Sequence, residues 1–344
     1  MSNTASLKRD LIFNTAKYLQ QDLNDSREIK EIKVLAKSSN SWFDIKESDR
    51  MLNAIITNYL SQHKLDKWLN NYEKIKLNST KTIGIVSAGN IPLAAFHDVW
   101  CALACGLNIQ IKLSSKDEHL SSYVFNKINE IIGEPRIQIV SILRGIDLMI
   151  ASGSNLTANH FKTFTDKFPC LVRGHRNSIA ILSGDESDAE LLKLGDDIFS
   201  YYGLGCRNVT KLYIPHIDMI SRLAGVLDIN FSHVRNNYKY MNNYDYQLAL
   251  QSLNRQKFYQ TETILIKASE ELYSAISIVN FEIYNTIAEL HSRINFIKDN
   301  IQCIATNISG MDLPVVSLGE TQNPQLWDYQ DQVDVIHFIA NVQE

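Results

Sequence analysis

The strongest constraint on this chain is a change of texture at residue 81. From there short β-branched runs, TIGIVSA, NIQIKLSS, RIQIVSI and DLMIASGS, alternate with amphipathic stretches near 93–105, 117–132 and 156–167. Strand-length apolar runs separated by helical stretches predict βαβ units on a parallel sheet, because parallel neighbours need a crossover long enough to return over the sheet. NSIAILSG at 177–184 adds a strand, and DESDAELLKLGDDIFSYYG adds a helix whose first-turn acids suit the positive end of a helix dipole. VTKLYIP reads as a further strand, a mixed α/β stretch runs to about 310, and the tail ends in DVIHFIAN. Upstream, Leu7, Leu11, Ile12, Ala16 and Leu19, then Met51, Leu52, Ile55, Ile56, Tyr59 and Leu60, keep helical spacing, with a cap expected at Ser48.

A length of 344 residues suits two domains, and 45% hydrophobic residues can bury enough surface to offset chain entropy. With 34 Lys+Arg against 38 Asp+Glu, a net charge of −4 and no basic run, nucleic-acid binding is disfavoured. The opening MSNTASLKRDLIFNTAKYL lacks the apolar core of a signal peptide, and no apolar run reaches the roughly 18 residues of a membrane span. A cytoplasmic protein without a membrane span is therefore expected. Five cysteines, an odd number, argue for reduced thiols rather than a disulfide framework.

GLGCRNV, 203–209, is the segment most suggestive of chemistry. Gly203 and Gly205 let the backbone turn sharply, so Cys206 can project into a cleft, and free N–H groups at such a turn stabilise a thiolate or an oxyanion. Arg207 adds positive charge beside it. The alternative is a small buried residue, the commoner fate of an isolated cysteine. Cys101 and Cys105 lie four apart in an apolar helix, a core pattern, and Cys170 and Cys303 sit beside apolar runs. His97, Cys101 and Cys105 share a helix face as zinc ligands would, but FHDVWCALACG is apolar nearly all round and offers no evident fourth ligand, so no metal is expected. Neither GxGxxG nor GxxxxGKS occurs, and a nucleotide would have to be held by something else.

Taken in order, SAGNIP (87–92), IKLSS (111–115), ASGSN (151–155), VRGHRNS (172–178) and GLGC (203–206) resemble the aldehyde dehydrogenase superfamily. AGNIPLAAFHD, KLSSKD, ASGSN, GLGCRNVTKLYIP, KYMNNYDY and NPQLWDY resemble more specifically the LuxC-type fatty acyl-CoA reductases, over the chain from about residue 80 onward. The resemblance implies an aldehyde dehydrogenase-like α/β fold: an N-terminal helical segment over 1–78, a Rossmann-like cofactor-binding domain over 79–200 completed by about 318–344, and a catalytic domain over 201–317, with an active-site cleft between the two domains. It implies NADPH-dependent reduction of a long-chain fatty acyl-CoA, or of an acyl-carrier substrate, to the aldehyde through an acyl-Cys206 thioester, with NADH as the alternative cofactor and a homo-oligomeric state.

Carried over by motif, Asn90 would bind the oxyanion with the Cys206 backbone N–H, Lys112 would bind the cofactor ribose, and Gly153 and Ser154 would form the turn near its phosphates. Each has a plainer reading: a turn asparagine, a solvated strand-end lysine and a helix cap. His175 is the one imidazole in VRGHRNS and is either a proton donor to the forming aldehyde oxygen, an aid to the thiol, or a structural residue. Two departures stand out. No glutamate occurs between Glu134 and Glu186, so the base that releases a free acid in hydrolytic aldehyde dehydrogenases is missing, and Ala158 stands where many of them have glycine. The rival functions are a non-acylating aldehyde dehydrogenase, a cysteine acyltransferase that uses no nicotinamide, and a catalytically silent partner retaining the fold. YKYMNNYDYQ at 238–247, without basic companions, is expected to line a cleft or domain interface, and the tail carrying Trp327, Asp328 and Tyr329 to fold back on the cofactor domain.

Overall fold

The computed structural model describes residues 4–5, 7–75, 77–78, 80–153, 167–311 and 313–342. Four helices open the chain, α1 (Arg9–Asp25), α2 (Arg27–Ser39), α3 (Ile45–Ala54) and α4 (Gln62–Asn70), bracketed by an antiparallel pair of short strands, β1 (Thr4–Ala5) and β2 (Leu77–Asn78). Local chemistry starts them. Ser26 caps α2 by accepting the Ile29 N–H at 3.1 Å, and Asp44 caps α3 by accepting the Glu47 N–H at 2.9 Å. The cap expected at Ser48 is thus Asp44 instead: its carboxylate reaches the first-turn N–H groups from outside, while Ser48 is buried within α3.

The chain then divides into two compact units, Met1–His175 with Pro324–Glu344, and Arg176–Asn323. In the first, β3 (Thr82–Val86), β4 (Asn108–Lys112), β5 (Ile137–Ile139), β6 (Leu148–Ser152) and β7 (Cys170–Arg173) form a sheet in the order β5–β4–β3–β6–β7, every pair parallel. All-parallel sheets are covered by helices, which is why β3 and β6 read as near-continuous apolar runs. α5 (Phe96–Ala104) buries every residue except His97, so the all-round apolar FHDVWCALA is a core helix, and Cys101 within it and Cys105 capping its end are fully buried, as their spacing suggests. α1 packs on α4, α5 and α6 (Glu118–Ile132), and α2 packs on α6, so the N-terminal helices are a layer of this unit. The amphipathic stretch 156–167 falls almost wholly outside the described residues.

The tail is locked to the same unit by buried hydroxyls. Tyr329 accepts the Trp68 indole N–H at 2.7 Å and lies 2.6 Å from the Tyr72 hydroxyl, which donates to Asp334 Oδ2 at 2.6 Å. Burial pushes both phenols upward, so they remain protonated. The helix Val335–Asn341 then packs on α5.

The second unit holds β8 (Asn177–Ile181), β9 (Val209–Ile214), β10 (Phe258–Gln260), β11 (Leu265–Ala268), β12 (Ile278–Ile283) and β13 (Ile301–Ala305), in the order β10–β11–β12–β9–β8–β13, parallel except for the β10–β11 hairpin. The expected boundaries therefore shift. β8 and the helix Asp188–Phe199, assigned by sequence to the cofactor domain, belong here because β8 pairs with β9 and β13, and the tail rejoins the first unit at Pro324. YKYMNNYDYQ opens the helix Tyr238–Leu253, capped by Asn237. Tyr240 and Tyr244 turn inward and donate to the carbonyls of Thr263 and Thr261, while Tyr238 and Tyr246 are exposed.

Tyr329→Phe would leave the Trp68 N–H buried without its acceptor. A loss of about 1–3 kcal/mol is expected, read as a lower urea midpoint at unchanged slope.

Candidate active site

In the first sheet the chain runs outward from β3 to β4 and β5, then returns to the other side of β3 with β6 and β7. The order reverses between β3 and β6, and loops leaving the carboxyl ends of strands at such a switch point diverge and open a crevice for a ligand. Those two loops begin with SAGNIP and Gly153, the motifs singled out by sequence. Asn90 is half-buried in the first of them. Its neighbour Gly89 lies so close to the loop after β4 that a Cβ there would sit 2.2 Å from Ser114 Oγ. Lys112 is exposed at the carboxyl end of β4, and its carbonyl accepts the Ser87 N–H at 3.0 Å, which carries the β3–β4 pairing into the loop.

Gly153 follows β6, and its N–H donates to the Arg173 carbonyl at 3.3 Å. That N–H is therefore spent on the sheet. Ser154 and Ala158 lie outside the described residues. His175 is exposed two residues beyond the end of β7. The strand end itself is pinned by Arg173, whose Nη1 donates to both Asp98 oxygens at 2.8 and 2.7 Å and to Gln330 Oε1 at 3.2 Å. Neither Arg173 nor Asp98 was marked by sequence, since each is one charge in an otherwise apolar or mixed run.

In the second unit Cys206 sits in a turn just before β9, half-buried, with its carbonyl accepting the Ser178 hydroxyl at 2.9 Å. The clamp of this turn is Asn208. Its Oδ1 accepts the Gly205 N–H at 2.8 Å, and its Nδ2 reaches the carbonyls of Asp197, Ile198 and Ser200 at 3.1, 3.2 and 2.8 Å. One amide thus satisfies the open end of the preceding helix and fixes the loop that carries the thiol. Upstream, Tyr201 and Tyr202 stand at φ 50 and 56, left-handed values that side-chain-bearing residues avoid, and Gly203 follows at φ 76. Both tyrosines are buried, Tyr202 against the Tyr240 ring at 6.0 Å, so packing holds the strain in place. A space of about 20 Å³, room for one water, lies beside the turn between Tyr202, Asn208, Tyr240 and Ser277.

The other cysteines are placed for structure. Burial pushes the thiols of Cys101, Cys105 and Cys170 up, which keeps them protonated and unreactive at neutral pH, and Cys170 donates to the Phe168 carbonyl at 3.2 Å. Cys303 is buried in β13. Arg207, expected to add charge at Cys206, directs Nη1 to the Thr321 carbonyl at 3.3 Å and toward Cys303 Sγ at 3.9 Å. Asp197 holds the same segment by accepting the Gly319 and Thr321 N–H groups at 2.7 and 3.0 Å and the Thr321 hydroxyl at 2.7 Å. Among the described residues no cluster of three or more His, Cys, Asp or Glu could hold a metal ion.

No family model matches the chain, and no curated protein does. Solved structures do match. Aldehyde dehydrogenase 21 of Physcomitrella patens, in complex with the reaction product succinate, superposes with a TM-score of 0.69 at 12% identity over 97% of this chain and 83% of its own. The fold is that of the aldehyde dehydrogenases. An NAD-dependent aldehyde dehydrogenase from Sinorhizobium meliloti gives a TM-score of 0.65 at 11% identity, covering 91% of this chain and 71% of its own. The NAD+ complex of a Mycobacterium tuberculosis aldehyde dehydrogenase gives 0.63 at 12%, covering 88% and 73%. On this aldehyde dehydrogenase fold the first glutamate downstream of VRGHRNS, Glu186, is buried and accepts the Ser183 and Gly184 N–H groups at 2.6 and 3.1 Å. It shapes a turn.

Asn208→Ala removes all four hydrogen bonds of the clamp, and a destabilisation of roughly 3 kcal/mol is expected in urea unfolding. Burial pushes the Asp197 carboxyl up to about 6 from 3.8. Between those values the folded chain keeps a proton that the unfolded chain has released, so this group's stabilisation is full below about pH 4 and is lost as pH rises through 6. Thermal unfolding of wild type and Asp197→Asn between pH 4 and 7 should show the variant losing that decline, worth on the order of 2–3 kcal/mol.

Proposed function

We propose that this protein is an acyl-CoA reductase that carries a fatty acyl group on Cys206 and uses a nicotinamide, NADPH in preference to NADH. The observation that carries the reading is the Cys206 turn: of the five cysteines, this one lies half-buried in a loop held from both sides by Ser178 and Asn208. The nicotinamide is supported by the switch point between β3 and β6, with exposed Lys112 alongside. Neighbours of the same fold include an NAD+ complex and a complex with a carboxylate product, succinate.

In this reading the Cys206 thiolate adds to the thioester carbonyl carbon, and the carbonyl electron pair moves to oxygen. When that pair returns, the bond to the CoA sulfur breaks and CoA leaves as thiolate, so one thioester replaces another. Asn90 is the proposed side-chain donor to the oxyanion, together with the Cys206 N–H, a kind of contact typically worth 10²–10³ in rate, by general precedent. A nicotinamide, when bound, would supply the hydride that reduces the acyl carbon of this thioester. The reduced carbon then carries an oxyanion and the Cys206 sulfur; collapse expels Cys206 as thiolate and frees the aldehyde. Lys112 is the proposed ribose ligand. Gly153, with its N–H already engaged, would serve the phosphates by leaving space, and Ser154 remains the proposed donor. His175 is proposed to lend a proton to the oxyanion formed by hydride addition and to take it back as the carbonyl reforms and the Cys206 thiolate leaves. The lack of any glutamate between Glu134 and Glu186 favours reduction over hydrolysis, since VRGHRNS carries no carboxylate to activate water.

The test is intact mass after mixing wild type and Cys206→Ala with dodecanoyl-CoA, then adding NADPH. A wild-type adduct that disappears with aldehyde formation, absent in the variant, is expected. An adduct indifferent to NADPH would indicate an acyltransferase, free acid without CoA would indicate a non-acylating dehydrogenase, and no adduct would remove Cys206 as nucleophile.

A further inference from the structure

The loop after β3 that carries Asn90 adopts a conformation its own residues disfavour. Leu93 stands at φ 52 and is 2% exposed, a left-handed leucine packed into the core. Such a residue persists only where its surroundings hold it. A carboxylate from another element does so: the Leu93 N–H donates to Asp117 Oδ2 at 2.7 Å.

Asp117 occupies the position before α6 where an aspartate ordinarily accepts N–H groups of its own helix, yet its side chain makes no such cap. Oδ2 is given to Leu93 and to the Ser121 hydroxyl, also at 2.7 Å, while Oδ1 is buried with no hydrogen-bond partner among the described residues. Leaving one carboxylate oxygen buried and unpaired is costly, and the cost shows in the carboxyl, which burial pushes up to about 7. The group is itself firmly seated. Its N–H donates to the Ser114 carbonyl at 3.0 Å, and the adjacent Lys116 carbonyl accepts Asn40 Nδ2 at 3.2 Å. Gly89, beside Asn90, lies flush on Ser114 of the same loop, with no room for a Cβ.

We propose that Asp117 is a positioning residue: through Leu93 it latches the loop after β3 to the start of α6 and so fixes Asn90. The catalytic half of this inference rests on the oxyanion role given to Asn90 above; the latch does not.

Hydrogen exchange of the full chain, read by mass spectrometry on peptides over 87–95, tests the latch. Asp117→Ala is expected to speed exchange in that segment at least tenfold while β3 and β4 stay protected. Asp117→Asn, which keeps an oxygen acceptor, should restore protection. Unchanged exchange in Asp117→Ala overturns the proposal. Turnover with dodecanoyl-CoA and NADPH tests the positioning: Asp117→Ala should lower kcat about as far as Asn90→Ala, with KM within twofold, and Asp117→Asn should recover it. The double variant should be no slower than Asn90→Ala alone. Losses that multiply in the double variant overturn the positioning role. An Asn90→Ala enzyme with unchanged kcat removes the oxyanion reading and the positioning role with it, while the exchange result still decides the latch.

Discussion

Parallel pairing at β3 is the constraint on which the first unit depends. A parallel neighbour cannot be reached through a tight turn, so each step from strand to strand sends the chain over a face of the sheet. From β3 it goes first to β4 and β5, then back to β6 and β7, so β3 is flanked by strands reached in opposite directions. The loops leaving β3 and β6 must part, and the segments 87–92 and 153 onward inherit the gap. The covering helices have to be apolar on the side they present. α5 has gone further and is apolar almost all round, because the C-terminal helix closes over it as well.

Within that frame a few buried polar side chains do the fastening, and each joins a loop to an element that packing alone would leave unregistered. Tyr329 ties the tail to Trp68 and Tyr72, and Arg173 ties the end of β7 to the first turn of α5. In the second unit Asn208 and Asp197 do the same for the turn of Cys206 and for the segment 319–321. Removing one partner of such a contact leaves the other buried and unsatisfied, a larger cost than the net worth of the bond. Arg173 shows the limit of the strategy: its Nε and Nη2 find no partner among the described residues, so the ion pair with Asp98 fixes geometry at an energetic cost.

Two local features of the cysteines were legible in single segments. Gly203 and Gly205 around Cys206 mark a turn whatever the fold, and the four-residue spacing of Cys101 and Cys105 in an apolar helix marks a core. Other features left no local trace. Nothing in SYYG distinguishes two left-handed tyrosines from a helix end, because their strain is held by rings distant in sequence. Asp117 reads as a helix cap, and its diversion to Leu93 appears only when two loops from neighbouring strands lie side by side. The boundary at 200 was misplaced for a similar reason: β8 has the composition of any buried strand, and only its partners reveal which sheet it joins.

The sequence by itself determined the alternation of strands and helices, the parallel character of the sheets and the turn that carries Cys206. These follow from periodicity, side-chain branching and glycine placement, which act over a few residues. Tertiary structure decided the strand order, the division at residue 175, the return of the tail at 324 and the partners of each buried polar group. Those depend on pairings between residues tens to hundreds of positions apart, whose energies exist only once the intervening chain has been closed.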